Sequence, residues 1–345
     1  MDLTGRPLLD TTPDHELFGG RDGELARLAD WVEHGRNVLL IGERGSGKTT
    51  LLRQLAYELR QRHPRTPPAF VEGRLVTDAR VLLELVRRRL GLRSPPEAAA
   101  WPTAVSLDGQ ASGEAVDLAD LVRGLREAGP RRRRVILVDE PPTTAAQTLF
   151  GRLRDELWQL PFTWVVAASE GDAGVYLAPP ADTFFDDALR LNPLPREAQL
   201  RMLEARAGER GRRIALQLDE GNPRRLLALA RAALQGGARP VELVEARSVR
   251  DEQVAQLGRP AAMLMAELES LGAASATDER LLRRLGWTRP RAVQVLRELE
   301  DQGLVTSSSV KGRAGRPRKV YRPSDLIEAA APGSTGGRDG GGGRP

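Results

Sequence analysis

The chain has 345 residues, a net charge of +5, and 35 Gly and 24 Pro but no Cys. That length exceeds what one hydrophobic core organises, and the lack of cysteine excludes a disulfide framework or a thiolate metal centre. No apolar stretch follows Met1-Asp2-Leu3-Thr4-Gly5-Arg6 and no later run approaches the roughly 18 residues of a membrane span, so the expectation is a soluble cytoplasmic protein of two or three domains with no membrane partner.

Residues 1–17 carry Pro7, Pro13 and scattered charges without a period, and are expected to form an irregular arm. Phe18-Gly19-Gly20-Arg21 then leads into a helix with apolar Leu25, Leu28, Ala29 and Val32. The unbroken apolar run Val38-Leu39-Leu40-Ile41 predicts a buried strand, and after it comes Gly42-Glu43-Arg44-Gly45-Ser46-Gly47-Lys48-Thr49, with Thr50 continuing into a helix. Strand, glycine-rich turn and helix in this order are what a phosphate-binding loop requires. Glycines let successive N–H groups curl toward phosphate oxygens, and the helix adds its positive end. Lys48 is expected to reach the β- and γ-phosphates and Thr49 to offer its hydroxyl to Mg²⁺. Only 3 of the 52 basic residues are Lys, so a lysine here stands out in a chain that otherwise uses Arg.

A short strand over 69–72 and an amphipathic helix over 78–90 follow, then a Pro-, Gly- and Ser-containing insertion over 92–115 and a helix over 115–128. Four arginines, read as a solvated turn, enter Val135-Ile136-Leu137-Val138-Asp139-Glu140. In a parallel sheet such a strand is buried on both faces and its last residues emerge at the carboxyl edge. About ninety residues after a phosphate loop, Asp139 is expected to hold the Mg²⁺ shell and Glu140 to polarise the attacking water. A helix over 143–160 precedes the apolar strand 162–169, whose terminal Ser169 is expected to hydrogen-bond the γ-phosphate or the catalytic water. A last strand covers 188–194. Helices over 196–207 and 213–218 come next, and Gly221-Asn222-Pro223-Arg224 opens another, which holds Arg224 at a helix start facing a phosphate across a cleft.

These motifs, from Phe18 and Arg21 through the phosphate loop and Asp139-Glu140 to Ser169 and Gly221-Asn222-Pro223-Arg224, resemble in order and spacing the AAA+ and STAND P-loop ATPases. The nearest look is to the branch that includes the Orc1/Cdc6-like proteins and the archaeal-type ATPases. The resemblance covers about residues 16–236. It implies ATP and Mg²⁺ as cofactors, a sheet of strand order 5-1-4-3-2, a helical lid, Ser169 and Arg224 as the first and second sensors, and a segment around Phe18 and Arg21 next to the adenine. One departure matters: residues 170–189 contain no Arg or Lys, whereas ring-forming relatives carry an arginine finger there. A slow ATPase, or one completed by the arginine of a protein partner or a second copy in a homo-oligomer, follows.

Basicity is concentrated downstream: residues 281–325 hold eleven Lys or Arg against four Asp or Glu. Helices over 260–271, 278–285 and 288–302 precede two strands joined by a basic loop, an order that resembles a winged helix-turn-helix. The third helix is expected to bury Ala292, Val293, Leu296 and Leu299 and to present Arg289, Arg291, Gln294 and Arg297 to double-stranded DNA. Lys311, Arg313, Arg316, Arg318 and Lys319 are expected to neutralise phosphates from the wing. Gly315-Arg316-Pro317 also matches the core of a minor-groove AT-hook, and a protein-binding winged helix is the alternative for the whole module. The fold class is therefore α/β, a three-layer P-loop NTPase sheet with a helical lid, followed by a winged-helix domain. The boundaries are an arm over 1–17, an ATPase core over 18–194, a lid and connector over 195–257, a winged helix-turn-helix over 258–330 and a disordered tail over 331–345. The leading function is an ATP-hydrolysing DNA-binding protein whose nucleotide state governs duplex engagement, of initiator, loader or regulator type. The alternative is a STAND-type switch whose ATP state governs assembly with a protein partner.

Overall fold

The computed structural model describes residues 2–92, 118–127, 132–236, 240–311 and 317–324. The chain divides into two units, one comprising 1–212 with 219–226 and the other 213–218 with 227–345.

In the first unit, helix α1 (Thr12–Glu16) and helix α2 (Asp22–Glu33) precede strand β1 (Val38–Gly42), the loop, and helix α3 (Lys48–Arg62). Strand β2 (Ala69–Glu72), α4 (Ala79–Arg89), α5 (Leu118–Glu127) and β3 (Arg134–Asp139) follow. Then come α6 (Thr143–Ala146), α7 (Arg154–Trp158), β4 (Phe162–Ser169), α8 (Ala173–Leu177), β5 (Asp187–Leu191) and α9 (Arg196–Ala215). The five strands form one sheet in the order β2-β3-β4-β1-β5, and every pairing is parallel. This is the five-stranded α/β sheet, in the strand order expected.

Side-chain alternation divides the sheet's cover. Leu39, Ile41, Ile136, Val138, Trp164 and Val166 pack with α4, α5 and α8 in one cluster; Val38, Leu40, Leu137, Val165 and Ala167 pack with α2 and α3 in another. Successive residues of a strand point to opposite faces, so a strand covered on both must be apolar throughout, which is why β1 and most of β4 are buried along their length. Each such Leu, Ile or Val contributes about 1.5–3 kcal/mol.

Three expectations change. The helix over 143–160 is interrupted by a π-turn at Gln147–Arg152, which carries Leu149 and Phe150 into the core against Trp164 and Phe184. Gly151 packs there against Pro180, with its Cβ position 3.1 Å from Pro180 Cγ. The arm, expected to be irregular, is ordered over residues 2–17: Leu3 and Leu8 are buried, α1 forms one turn, and Arg6 holds Asp14 through two hydrogen bonds of 2.6 and 2.8 Å. Buried Gln54 on α3 fastens the arm by donating to the Leu9 carbonyl and pairing with His15 Nδ1. The helix after β5 runs past 207 to Ala215, with Gly208 out of helical geometry where the break was expected.

In the second unit, α10 (Pro223–Gly236), whose first residues belong to the first unit, leads to α11 (Pro240–Gln256), a helix within the stretch read only as a connector. Among its described side chains, the buried apolar ones are Leu243 and Val254. Buried Arg247 and Arg250 both pair with Glu269 of α12 (Arg259–Leu271) instead, an arrangement that leaves no hydrophobic period to read. Helices α13 (Glu279–Leu285) and α14 (Arg289–Asp301) and the antiparallel hairpin of β6 (Val305–Lys311) and β7 (Pro317–Pro323) complete the described chain. Ala274, between α12 and α13, bridges to Tyr321 of β7. On α14 the buried positions are Ala292, Val295, Leu296 and Leu299; Val293, expected inside, is half-exposed. The insertion over 93–117 and the tail over 331–345 lie outside the described residues.

Candidate nucleotide site

The loop between β1 and α3 lies at the carboxyl edge of the sheet, where parallel α/β folds bind ligands. Gly45 and Gly47 adopt φ of 86° and 101°, conformations that side chains bearing a Cβ resist. Every carbonyl from Gly42 to Gly47 has a donor. Lys48 Nζ, nearly inaccessible, donates to Gly42 O at 2.7 Å and Glu43 O at 3.0 Å and so closes the loop from within. Asn222 Nδ2 donates to Arg44 O at 2.9 Å, and the Arg224 backbone N–H to Gly45 O at 3.3 Å. Arg21 Nη2 donates to Ser46 O at 3.4 Å, and Leu51 N–H to Gly47 O at 2.8 Å.

Strand β3 delivers Asp139 against this loop, where its carboxylate accepts from Thr49 Oγ1 at 2.9 and 3.1 Å. Enclosure of the carboxyl group, reinforced by the Glu140 charge, pushes Asp139 up to about 6, while the Thr49 hydroxyl and the cations Lys48 and Arg53 pull the other way. A hydroxyl and an enclosed, under-compensated carboxylate are hard oxygen donors that fit Mg²⁺. Thr49 and Asp139 are the residues that would hold it, and a bound cation there would neutralise phosphate charge.

Glu140 follows Asp139 with φ of 51°, a left-handed backbone that non-glycine residues adopt at a cost of about 1–3 kcal/mol. Its carboxylate lies 3.0 Å from Lys48 Nζ and is half-exposed. Two neighbours that the sequence did not single out shape this corner. A Cβ on Gly73 would sit 2.1 Å from Glu140 O and 2.2 Å from Asp139 O, so this close approach of two backbones requires glycine. Arg53 donates to Glu72 at 3.2 Å, and Glu72 pairs in register with Asp139.

The remaining expected residues divide. Thr50 is drawn to the arm, its hydroxyl accepting from Leu8 N–H at 3.3 Å. Arg21 is buried and spent on the fold: besides Ser46 O it donates to Asn192 O at 2.6 Å and Glu24 at 2.7 Å, so it braces the loop from behind rather than offering a cation to a ligand. Phe18 is half-buried against the α2–α3 cluster. Ser169 sits beside Gly42 in the sheet register, but its hydroxyl donates to Asp172 Oδ2 at 2.7 Å and accepts from Asp172 N–H at 3.2 Å. Here it closes the turn into α8, and the Ser-x-x-Asp spacing was the signal for that. Arg190 is ion-paired with Glu170. Arg224 is brought to the loop through its backbone and Cβ, the latter 3.0 Å from a Cβ built on Gly45.

Residues 17–166 match the family described as AAA ATPase domain. Over this stretch the chain is similar to AAA ATPase domains. Over 90 residues the chain is 34% identical to the small ribosomal subunit biogenesis GTPase RsgA of Opitutus terrae, which covers 26% of this chain. The match spans 24% of that relative's length. Among solved structures, the chain is similar to the Aeropyrum pernix Orc1 protein in complex with DNA, at 21% identity over 91% of this chain and 92% of that one with a TM-score of 0.46. It is likewise similar to Cdc6p of Pyrobaculum aerophilum, at 16% identity over 89% and 91% with a TM-score of 0.46. No helix among the described residues is long and apolar enough to cross a membrane.

In the second unit, Arg289, Arg291, Gln294 and Arg297 are exposed along α14, flanking half-exposed Val293. They are not a uniform cationic stripe. Arg291 donates to Gln294 at 2.9 Å and Gln294 to Glu298 at 3.1 Å, while the Arg291 guanidinium lies 5.8 Å from the Trp287 ring centre. On the hairpin Arg318 is exposed, and Lys319 is held by Glu300 at 2.8 Å, which also accepts from Ser307 at 2.5 Å. Hydrogen bonds from Lys319 and Ser307 keep the Glu300 carboxyl below its ordinary range. Arg313, Arg316 and most of the proposed AT-hook core lie outside the described residues, as does the side chain of Lys311.

Proposed function

We propose that the protein is a Mg²⁺-dependent ATPase that binds double-stranded DNA and whose nucleotide state controls that binding. The observation that carries the reading is the convergence of Lys48, Thr49, Asp139 and Glu140 on one phosphate-type loop at the sheet edge. In this reading the loop's inward N–H groups and Lys48 bind the phosphates, and Thr49 and Asp139 hold the metal. Glu140 releases Lys48, orients the attacking water and accepts its proton; Arg224 senses the γ-phosphate from the helix start. The DNA part is supported by three helices and an antiparallel hairpin with Arg289, Arg291, Arg297 and Arg318 exposed, the arrangement of a winged helix-turn-helix.

The test is phosphate release by the full chain with and without duplex DNA, paired with duplex binding in ATP, in ADP and without nucleotide. Turnover that duplex changes, and duplex affinity that differs among the three states, are expected. Identical affinity in all three removes the coupling.

A second reading, a STAND-type switch assembling with a protein partner or a second copy, is favoured by one observation. Residues 170–189 hold no cation, and Arg190, the first after them, is tied to Glu170. ATP-dependent growth in size on gel filtration without duplex binding selects it.

A further inference from the structure

We propose that Asn222 is a positioning residue for the phosphate loop, one that aims a loop N–H at the phosphates through the carbonyl on the same peptide. The inference rests on the nucleotide-binding reading of the loop. Asn222 is buried to 8% exposure and uses both ends of its amide. Its Oδ1 accepts from the Arg224 and Arg225 backbone N–H groups at 3.1 and 3.4 Å, which makes it the cap of α10. Its Nδ2 donates to Arg44 O at 2.9 Å. Gly45 lies flat beneath it, since a Cβ there would meet Asn222 Oδ1 at 2.6 Å.

The carbonyl of residue 44 and the N–H of residue 45 belong to one trans peptide and point in opposite directions. By drawing the Arg44 carbonyl outward, Asn222 turns the Gly45 N–H inward. The Arg224 N–H does the same one peptide further on by taking the Gly45 carbonyl. The turn at 222–224 thus sets two consecutive loop peptides and places a capped helix start in contact with them. A cap needs only the oxygen, and Ser or Asp would supply that as well as Asn. The amide donor is what this site adds.

Asn222→Ser and Asn222→Asp in the full chain separate the two roles: each keeps a capping oxygen and lacks the amide nitrogen that reaches the Arg44 carbonyl. The measurements are the Kd for a fluorescent ATP analogue and for MgADP, the KM and kcat for ATP, and the melting temperature without nucleotide. The expectation is a Kd and KM raised about tenfold in both variants, the worth of one well-placed hydrogen bond, with kcat and the nucleotide-free melting temperature unchanged. Serine separates this from the charge that aspartate introduces. Wild-type affinity in Asn222→Ser overturns the proposal, and so does a loss that tracks a lowered melting temperature in both variants, because the residue would then be only a cap. Failure of the wild-type chain to retain the analogue at all strikes the nucleotide reading instead, and this inference falls with it.

Discussion

Gly73→Ala tests whether the backbone carrying Glu140 sets the rate of hydrolysis. An alanine Cβ would lie 2.1 Å from Glu140 O, 2.2 Å from Asp139 O and 2.3 Å from Glu140 C. Non-bonded carbon and oxygen need about 3.2 Å, so the two backbones must separate by about 1 Å. All three obstructing atoms are main chain, and no side chain can rotate to relieve them. The strain falls on the peptide that holds Glu140 in its left-handed conformation, which is the least able to absorb it. For the catalytic role proposed for Glu140, a displacement of that size costs about a hundredfold in rate, or about 2.7 kcal/mol. The loop carbonyls are held by Lys48, Asn222, Arg224 and Arg21, none of which is among the three atoms nearest the added Cβ, so nucleotide affinity should stay within about threefold of wild type. Single-turnover phosphate release and equilibrium binding of the fluorescent analogue separate these effects. A Gly73→Ala protein that hydrolyses at the wild-type rate would show that Glu140 placement does not limit the reaction.

Lys48→Ala should abolish retention of the ATP analogue, since it removes both the phosphate cation and the stitch between Gly42 and Glu43. Glu140→Gln should bind nucleotide but turn over about 10²–10³ times more slowly; wild-type hydrolysis in that variant would remove Glu140 from its role. Arg289→Ala and Arg297→Ala should each weaken duplex binding and flatten the dependence of log K on log salt by about one unit if they contact phosphate; unchanged slopes would exclude it. The hydrogen bonds from Arg6, ahead of its charge, hold Asp14 down to about 2 against the effect of burial. A carboxyl depressed in the fold contributes stability that is complete above its unfolded pKa near 3.8 and is lost as pH falls toward 2. Urea midpoints measured from pH 5 to pH 2 should therefore fall more steeply in wild type than in Asp14→Asn, and parallel curves would count against the clamp.

The core of this site was legible because burial on both faces of a parallel sheet turns strands into unbroken apolar runs. Val38-Leu39-Leu40-Ile41 and Val135-Ile136-Leu137-Val138 both form strands of the sheet, and the residues that follow each, Lys48 and Thr49 after one and Asp139 and Glu140 after the other, meet at the loop. The arm was opaque for the opposite reason. It is ordered by polar tertiary contacts, Arg6 to Asp14 and Gln54 to His15 and the Leu9 carbonyl, which leave no period. Helix α11 hid in the same way behind Arg247 and Arg250. Val293 and Val295 illustrate a finer limit: both lie within reach of an apolar face at 3.6 residues per turn, and only packing against β6 and α12 decides which turns inward.

Arg21 and Ser169 carry groups suited to a nucleotide, yet the structure uses them on Ser46 O and Asp172. Their placement explains something the motif alone does not. A phosphate loop needs its N–H groups to face inward, which turns its carbonyls outward, where in an apolar setting each would cost about 1–3 kcal/mol if unmet. Lys48, Asn222, Arg224 and Arg21 together meet the carbonyls from Gly42 to Ser46, from three separate stretches of sequence. In the proposed reading, the anion-binding face of the loop is therefore set by Asn222, Arg224 and Arg21 on its outer side, with Lys48 closing it from within. Ligand entry need not fold the loop, and substitutions behind it should raise Kd without lowering kcat.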